Sequence, residues 1–148
     1  MNKLLLPVLV FMLAACSLGG SEVSRNQQKW TDANITHYRF ELSIGCFCAF
    51  RNQMPLTIEV LNGEVVSMTG VDGSVVEKTD TNYEYYSKYA TIDRLFAELK
   101  ADLGGKADEV TVTYDATYGF PSTINIDFIK NAVDDELYLS ASSFEKLP

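Results

Sequence analysis

Residues 37–45 read His-Tyr-Arg-Phe-Glu-Leu-Ser-Ile-Gly, with an apolar side chain at every second position up to Ile44. Tyr38, Phe40, Leu42 and Ile44 alternate with His37, Arg39, Glu41 and Ser43. Successive side chains of a strand point to opposite faces, so this run buries one face only. A one-residue slip would turn all four apolar groups into water, so pairing partners must hold their register. The same period recurs along the chain. Leu56, Ile58 and Val60 form a second run, and Asn62-Gly63, the strongest short hairpin signal, turns it back into residues 64–69. Val110, Val112 and Tyr114 alternate with Thr111, Thr113 and Asp115. A turn around residues 118–121 leads into Ile124, Ile126 and Phe128, which alternate with Asn125 and Asp127. Asp134-Asp135 opens a last strand over residues 136–143.

Two stretches change period. Residues 25–34 read as a short helix behind a Ser24 N-cap, with Trp30, Ala33 and Ile35 roughly on one face. Thr91 caps a second helix in which Ile92, Leu95, Phe96, Leu99 and Leu103 recur at helical spacing, and Gly104-Gly105 stops it. Residues 74–90 read as irregular and are rich in tyrosine: Tyr83, Tyr85, Tyr86 and Tyr89. The order helix, strand, strand, strand therefore occurs twice, with Tyr38 matching Val110 and Val65 matching Leu137 at an offset of 72 residues. The expected fold class is α+β: an antiparallel sheet with helices on one face, tandem α-β-β-β units in a two-layer sandwich. Phe40, Leu42, Ile58, Leu95, Phe96, Leu99, Val112 and Ile126 should be buried together. The other sheet face should carry His37, Arg39, Glu41, Ser43, Thr57, Glu59, Thr111, Thr113, Asp115, Asn125 and Asp127.

The N-terminus speaks to address. Lys3 precedes an apolar run of 12 residues, Leu4 to Ala15, which is short of the roughly 20 residues a membrane span needs. It fits the apolar region of an export signal. Leu13-Ala14-Ala15-Cys16 resembles the bacterial lipobox. That resemblance implies diacylation of the Cys16 thiol, cleavage just before it, and acylation of the new amine. Three acyl chains exceed the two signals that stable anchoring takes. Ser17 is a default residue for transfer to the outer membrane. Leu18-Gly19-Gly20-Ser21 reads as a short flexible tether. The expected division is 1–15 lipoprotein signal peptide, 16–24 lipidated Cys and tether, 25–148 a single α+β domain. Localisation is expected at the bacterial outer membrane, facing the periplasm.

The chain carries 12 Lys+Arg against 20 Asp+Glu, a formal charge of −8. So acidic a body has no electrostatic reason to hold nucleic acid or an anionic membrane surface. The lipid anchor is the expected membrane contact, and an envelope protein is the expected kind of partner. With Cys16 assigned to lipid, Cys46 and Cys48 remain, and an exported compartment favours disulfides. A bend after Gly45 is needed to bring alternate strand residues within disulfide reach. A structural link, a reducible pair, a metal site and two free thiols compete, and a structural link at the strand end is the expectation. No CxxC, HExxH, phosphate loop or nucleophile elbow occurs in the sequence. Neither catalytic residue, metal nor cofactor is expected. Candidate binding residues are Tyr83, Tyr85 and Tyr86 in the irregular segment, Arg39 on the open face, and Asp115 with Asp127. The two aspartates could face each other across their hairpin, or sit out of register and be solvated.

Several features in order resemble one family. They are Trp30, Tyr38-Arg39-Phe40, Cys46-Phe47-Cys48, Val65-Val66, Thr91-Ile92-Asp93 with Leu95-Phe96, and Tyr114-Asp115 followed by Gly119-Phe120-Pro121 and Ile124-Asn125-Ile126-Asp127. This set is similar to the bacterial domain-of-unknown-function family 6174, often found as lipoproteins, over about residues 26–146. The resemblance carries over no activity and no catalytic residue. The expected function is a lipid-anchored envelope module that binds or scaffolds without catalysis. The alternatives are a thiol–disulfide protein using Cys46 and Cys48, or a protein inhibitor using the open sheet face.

Overall fold

Asn62 and Gly63 take φ of 53° and 80°, the two left-handed positions of a type I′ turn. That turn joins β2 (Leu56–Leu61) to β3 (Glu64–Thr69), and β2 pairs in turn with β1 (His37–Gly45). The other half pairs β4 (Glu109–Tyr114) with β5 (Pro121–Asp127) and β5 with β6 (Glu136–Lys146). β1 and β6 join the halves into one antiparallel sheet of order β3-β2-β1-β6-β5-β4. The computed structural model describes residues 18–148. The expected signal peptide and the lipidation site at Cys16 lie outside the described residues.

Helices α1 (Leu18–Asp32), α2 (Tyr83–Ser87) and α3 (Ile92–Ala101) line one side of the sheet. α3 starts where expected: the Thr91 side chain accepts from Arg94 N, and Ile92, Leu95, Phe96 and Leu99 are buried, but the helix ends at Ala101 and Leu103, expected on the same face, is exposed. α1 starts seven residues before the expected Arg25, over the stretch read as tether. Its reason is packing: Val23 and Trp30, two turns apart, are both buried. Trp30 sits edge-on to Tyr38, Phe120 and Phe144, with ring centroids 5.4, 6.1 and 5.8 Å away. The irregular segment contains α2, whose Tyr86 is buried together with Tyr89 just beyond it.

Of the eight expected core residues, seven are buried. Val112 is only half-buried because β4 is an edge strand. β6 runs three residues past the expected Ser143. There Ser143 takes φ 51° and the register with β1 slips by one. This bulge turns even-numbered Phe144 onto the core, after Leu137, Leu139 and Ala141 have pointed there from odd positions.

The two α-β-β-β units are present in order. The first strands, β1 and β4, run in opposite directions, yet each lies on the same side of its own meander. With helices on one face, the two units are of opposite hand. The 72-residue offset therefore repeats element order and not arrangement in space.

Candidate functional site

Strand register builds the face away from the helices into rows. Ser43, Ser140, Thr123 and Thr113 form one row across four strands. Gly45, Tyr138, Asn125 and Thr111 form the next. Glu136, Asp127 and Glu109 form the last, at the end where β6 begins.

One part of this face satisfies itself. His37 Nε2 lies 2.9 Å from Glu59 Oε1, and Nδ1 lies 2.8 Å from the Pro148 carbonyl. The Glu59 hydrogen bond, then the Pro148 carbonyl, raise the His37 pKa above its ordinary 6.5. Arg39 Nη2 donates to Glu145 Oε2 at 2.6 Å, and Ser143 Oγ donates to Glu41 Oε2 at 2.8 Å. Arg39 is thus an exposed ion-pair partner, a contact of about 0–1 kcal/mol.

The end of the face over β4, β5 and β6 is different. Gly45, Glu109, Thr111, Asn125, Asp127, Glu136 and Tyr138 line a pocket of about 290 Å³. Among the described residues, none of their side chains has a hydrogen-bond or ion-pair partner. Asp127 Oδ1 is buried without one. Burial first, then the carboxylates of Asp135, Glu136, Glu109 and Asp108, push the Asp127 pKa up. Tyr138 is 41% exposed. Its ring lies over Gly45, where a Cβ would sit 3.3 Å from Tyr138 Cβ and 3.4 Å from Cδ1. Glycine at 45 is what lets the ring lean along the sheet.

Asp115 and Asp127 do not meet. Asp115 lies beyond the far end of β4, where its carboxylate accepts from Thr117 N at 3.0 Å and Tyr118 N at 2.5 Å. It is a turn-former and not a sheet-face residue. Asp127 instead faces Glu109 and Glu136. The tyrosine cluster mostly folds back. Tyr86 is buried, its hydroxyl donates to Gln53 Oε1, and Tyr83 packs on the core. Only Tyr85 of the three candidates is exposed, and it rests against Phe50 and Tyr89. Of the two readings of this cluster, binding or folding back onto the sheet, Tyr86 takes the second, and Tyr83 is half-buried against the core.

Cys46 and Cys48 are joined, with Cα atoms 5.2 Å apart. Cys48 N donates to Cys46 O at 2.8 Å, closing a three-residue turn that supplies the required bend. Phe47 stands at its tip, 77% exposed. The pair borders a second pocket, about 320 Å³, with Tyr85, Lys88 and Tyr89. Among the described residues, no three His, Cys, Asp or Glu side chains cluster so as to hold a metal ion.

Glu109, Glu136 and Tyr138 are not among the binding candidates read from the sequence. Strand parity places all three on the polar face. An aromatic residue at such a position is the signal that could have found the pocket.

No curated protein and no solved structure matches the chain significantly. The model of DUF6174, a family of unknown function, matches residues 22–146, and the chain belongs to that family.

Proposed function

We propose that the chain is a lipid-anchored module of the bacterial outer membrane, held through Cys16 and facing the periplasm. It binds an envelope component through the open face of its sheet and does not convert it. The observation that carries this reading is the bare sheet face, whose end over β4, β5 and β6 gathers free polar side chains around a pocket. Anchoring rests on Leu13-Ala14-Ala15-Cys16. Membrane fractionation with palmitate labelling tests the anchor: Cys16→Ser releases the protein or blocks its maturation, and labelling that survives the change removes the lipoprotein reading. A crosslinking pull-down from intact envelopes tests the face. Asn125→Lys abolishes capture, and an unchanged capture pattern rejects the face as the binding surface. An enzyme recovered as partner makes the module an inhibitor.

A second reading, thiol–disulfide exchange, has one observation in its favour: the Cys46–Cys48 bond borders a pocket beside exposed Phe47. Alkylation and mass spectrometry of protein taken directly from the envelope separate the two. A mixed disulfide with another protein favours exchange, and an intact internal bond favours the binding module.

A further inference from the structure

The pocket over β4, β5 and β6 makes specific demands on what fills it. We infer that it binds one ring of a neutral saccharide, with Tyr138 as the stacking platform and Asn125, Thr111 and the facing carboxylates as hydroxyl partners. This rests on the binding-module reading and names its ligand class.

Size comes first. Pockets for drug-sized ligands run from about 300 Å³ upward, and this one is about 290 Å³. One ring fits.

Polarity comes next. Glu109, Asp127 and Glu136 are acceptors only when ionised, so the ligand must bring donors. Their shared charge repels an anion. Asn125 contributes an amide donor, and Thr111 and Tyr138 contribute hydroxyls, so the ligand must also bring acceptors. A sugar hydroxyl does both at once. An ammonium ion engages the carboxylates alone and leaves the exposed Asn125 amide and the Tyr138 ring to water. A compact metal ion suits the row poorly: neighbouring strands stand about 4.8 Å apart, so Glu109 and Glu136 are two strand spacings from each other.

Shape completes the set. Tyr138 leans over Gly45 and stays 41% exposed. An aromatic face laid open beside unpartnered polar groups suits a ligand with one apolar C–H face and a polar rim, which describes a pyranose ring. Elsewhere on the same sheet face, the charged or titratable groups His37, Glu59, Arg39, Glu145 and Glu41 are partnered within the protein. Glu109, Asp127 and Glu136 are not, so the unpaired carboxylates of these rows lie where the pocket and the exposed ring are.

The test is calorimetric titration of the full chain, purified in detergent, with maltotetraose, cellotetraose and chitotetraose. At least one of them binds. Tyr138→Ala weakens that binding about tenfold or more, Asn125→Ala about fivefold, and Arg39→Ala leaves it within about twofold. Circular dichroism establishes that each variant keeps the wild-type fold. Gly45→Ala is the second probe: a Cβ there crowds the Tyr138 ring without removing a polar group, and sugar binding should weaken less than in Tyr138→Ala. Failure of all three saccharides to bind overturns the inference, as does equal binding by Tyr138→Ala. Saturable binding of spermidine or Ca²⁺ in place of sugar also overturns it. If sugars fail while envelope capture still depends on Asn125, the ligand class falls and the binding module stands. If capture is indifferent to Asn125 as well, both fall.

Discussion

Replacing Gly119 with alanine is expected to loosen the seating of α1 on the sheet. Gly119 has φ +80°, and a Cβ there would lie 2.7 Å from Asn26 O and 3.1 Å from Lys29 Cβ, both in α1. Two costs combine. The left-handed backbone costs an alanine about 1–2 kcal/mol. Contact with a helical carbonyl oxygen forces a backbone shift, which overpacking data put at about 1–3 kcal/mol. Against these stands a gain of about 0.4–1 kcal/mol from restricting the unfolded chain. The net is a loss of about 1–5 kcal/mol. Gly73 serves as the control, with φ +84° and nothing within 4 Å of its would-be Cβ. Gly73→Ala meets the backbone cost and the unfolded-state gain alone, a net loss of about 0–2 kcal/mol. The assay is thermal unfolding followed by far-UV circular dichroism and by emission of Trp30, the chain's one tryptophan. The two variants differ by the contact cost alone, so at about 3–4 °C per kcal/mol for a domain of this size, Gly119→Ala melts about 3–12 °C below Gly73→Ala. Melting temperatures for the two variants within about 1 °C of each other would refute the close approach of α1 to the β4–β5 turn.

Three further outcomes are expected. Phe96→Ala empties a fully buried site on α3 and lowers stability by about 3–5 kcal/mol in urea titration; a loss below about 1 kcal/mol contradicts the packing of α3 on the sheet. His37 has a raised pKa in the fold, so its stabilising contribution is complete below its ordinary pKa and disappears as pH rises through the folded value. Melting curves from about pH 5 to about pH 9 should therefore show the wild type losing its advantage over His37→Gln as pH rises, and parallel curves contradict the Glu59 contact. The Asp127 pKa is also raised, so its stabilising contribution is present below the unfolded value and lost as pH rises through the folded one. Asp127→Asn should raise the melting temperature at neutral pH, with the gain shrinking toward about pH 4, and a lowered melting temperature there argues against carboxylate repulsion along the row.

The parts of this fold that local chemistry controls were readable in advance. Tyr38 to Ile44 alternate strictly and are buried as they alternate. Asn62-Gly63 could hardly be anything except a tight hairpin, and both residues hold the positive φ it demands. Thr91 caps α3 through its side chain. What escaped depends on distant partners. The start of α1 follows from where Val23 finds the core, and polar residues 24–29 conceal that contact. The bulge at Ser143, which re-aims Phe144, is set by pairing with β1 about a hundred residues earlier. Tyr86 sits in a run that reads as loop, yet Phe50 and Gln53 hold it from another segment. The candidate pocket belongs to this second class. Gly45, Thr111, Asn125 and Tyr138 are spread over four strands, and only the order β1-β6-β5-β4 aligns them in one row.

The working surface proposed for this chain is the open face of its sheet. Site-specific photo-crosslinking in intact cells tests this directly. The crosslinker is placed at Thr111 or Asn125 on the open face, and as controls at exposed Asp93 or Ala97 on α3. Crosslinked envelope material should accumulate from Thr111 and Asn125 and stay at background from the two helix positions. Equal yields from both sides of the sheet, or capture from the α3 positions alone, would contradict it.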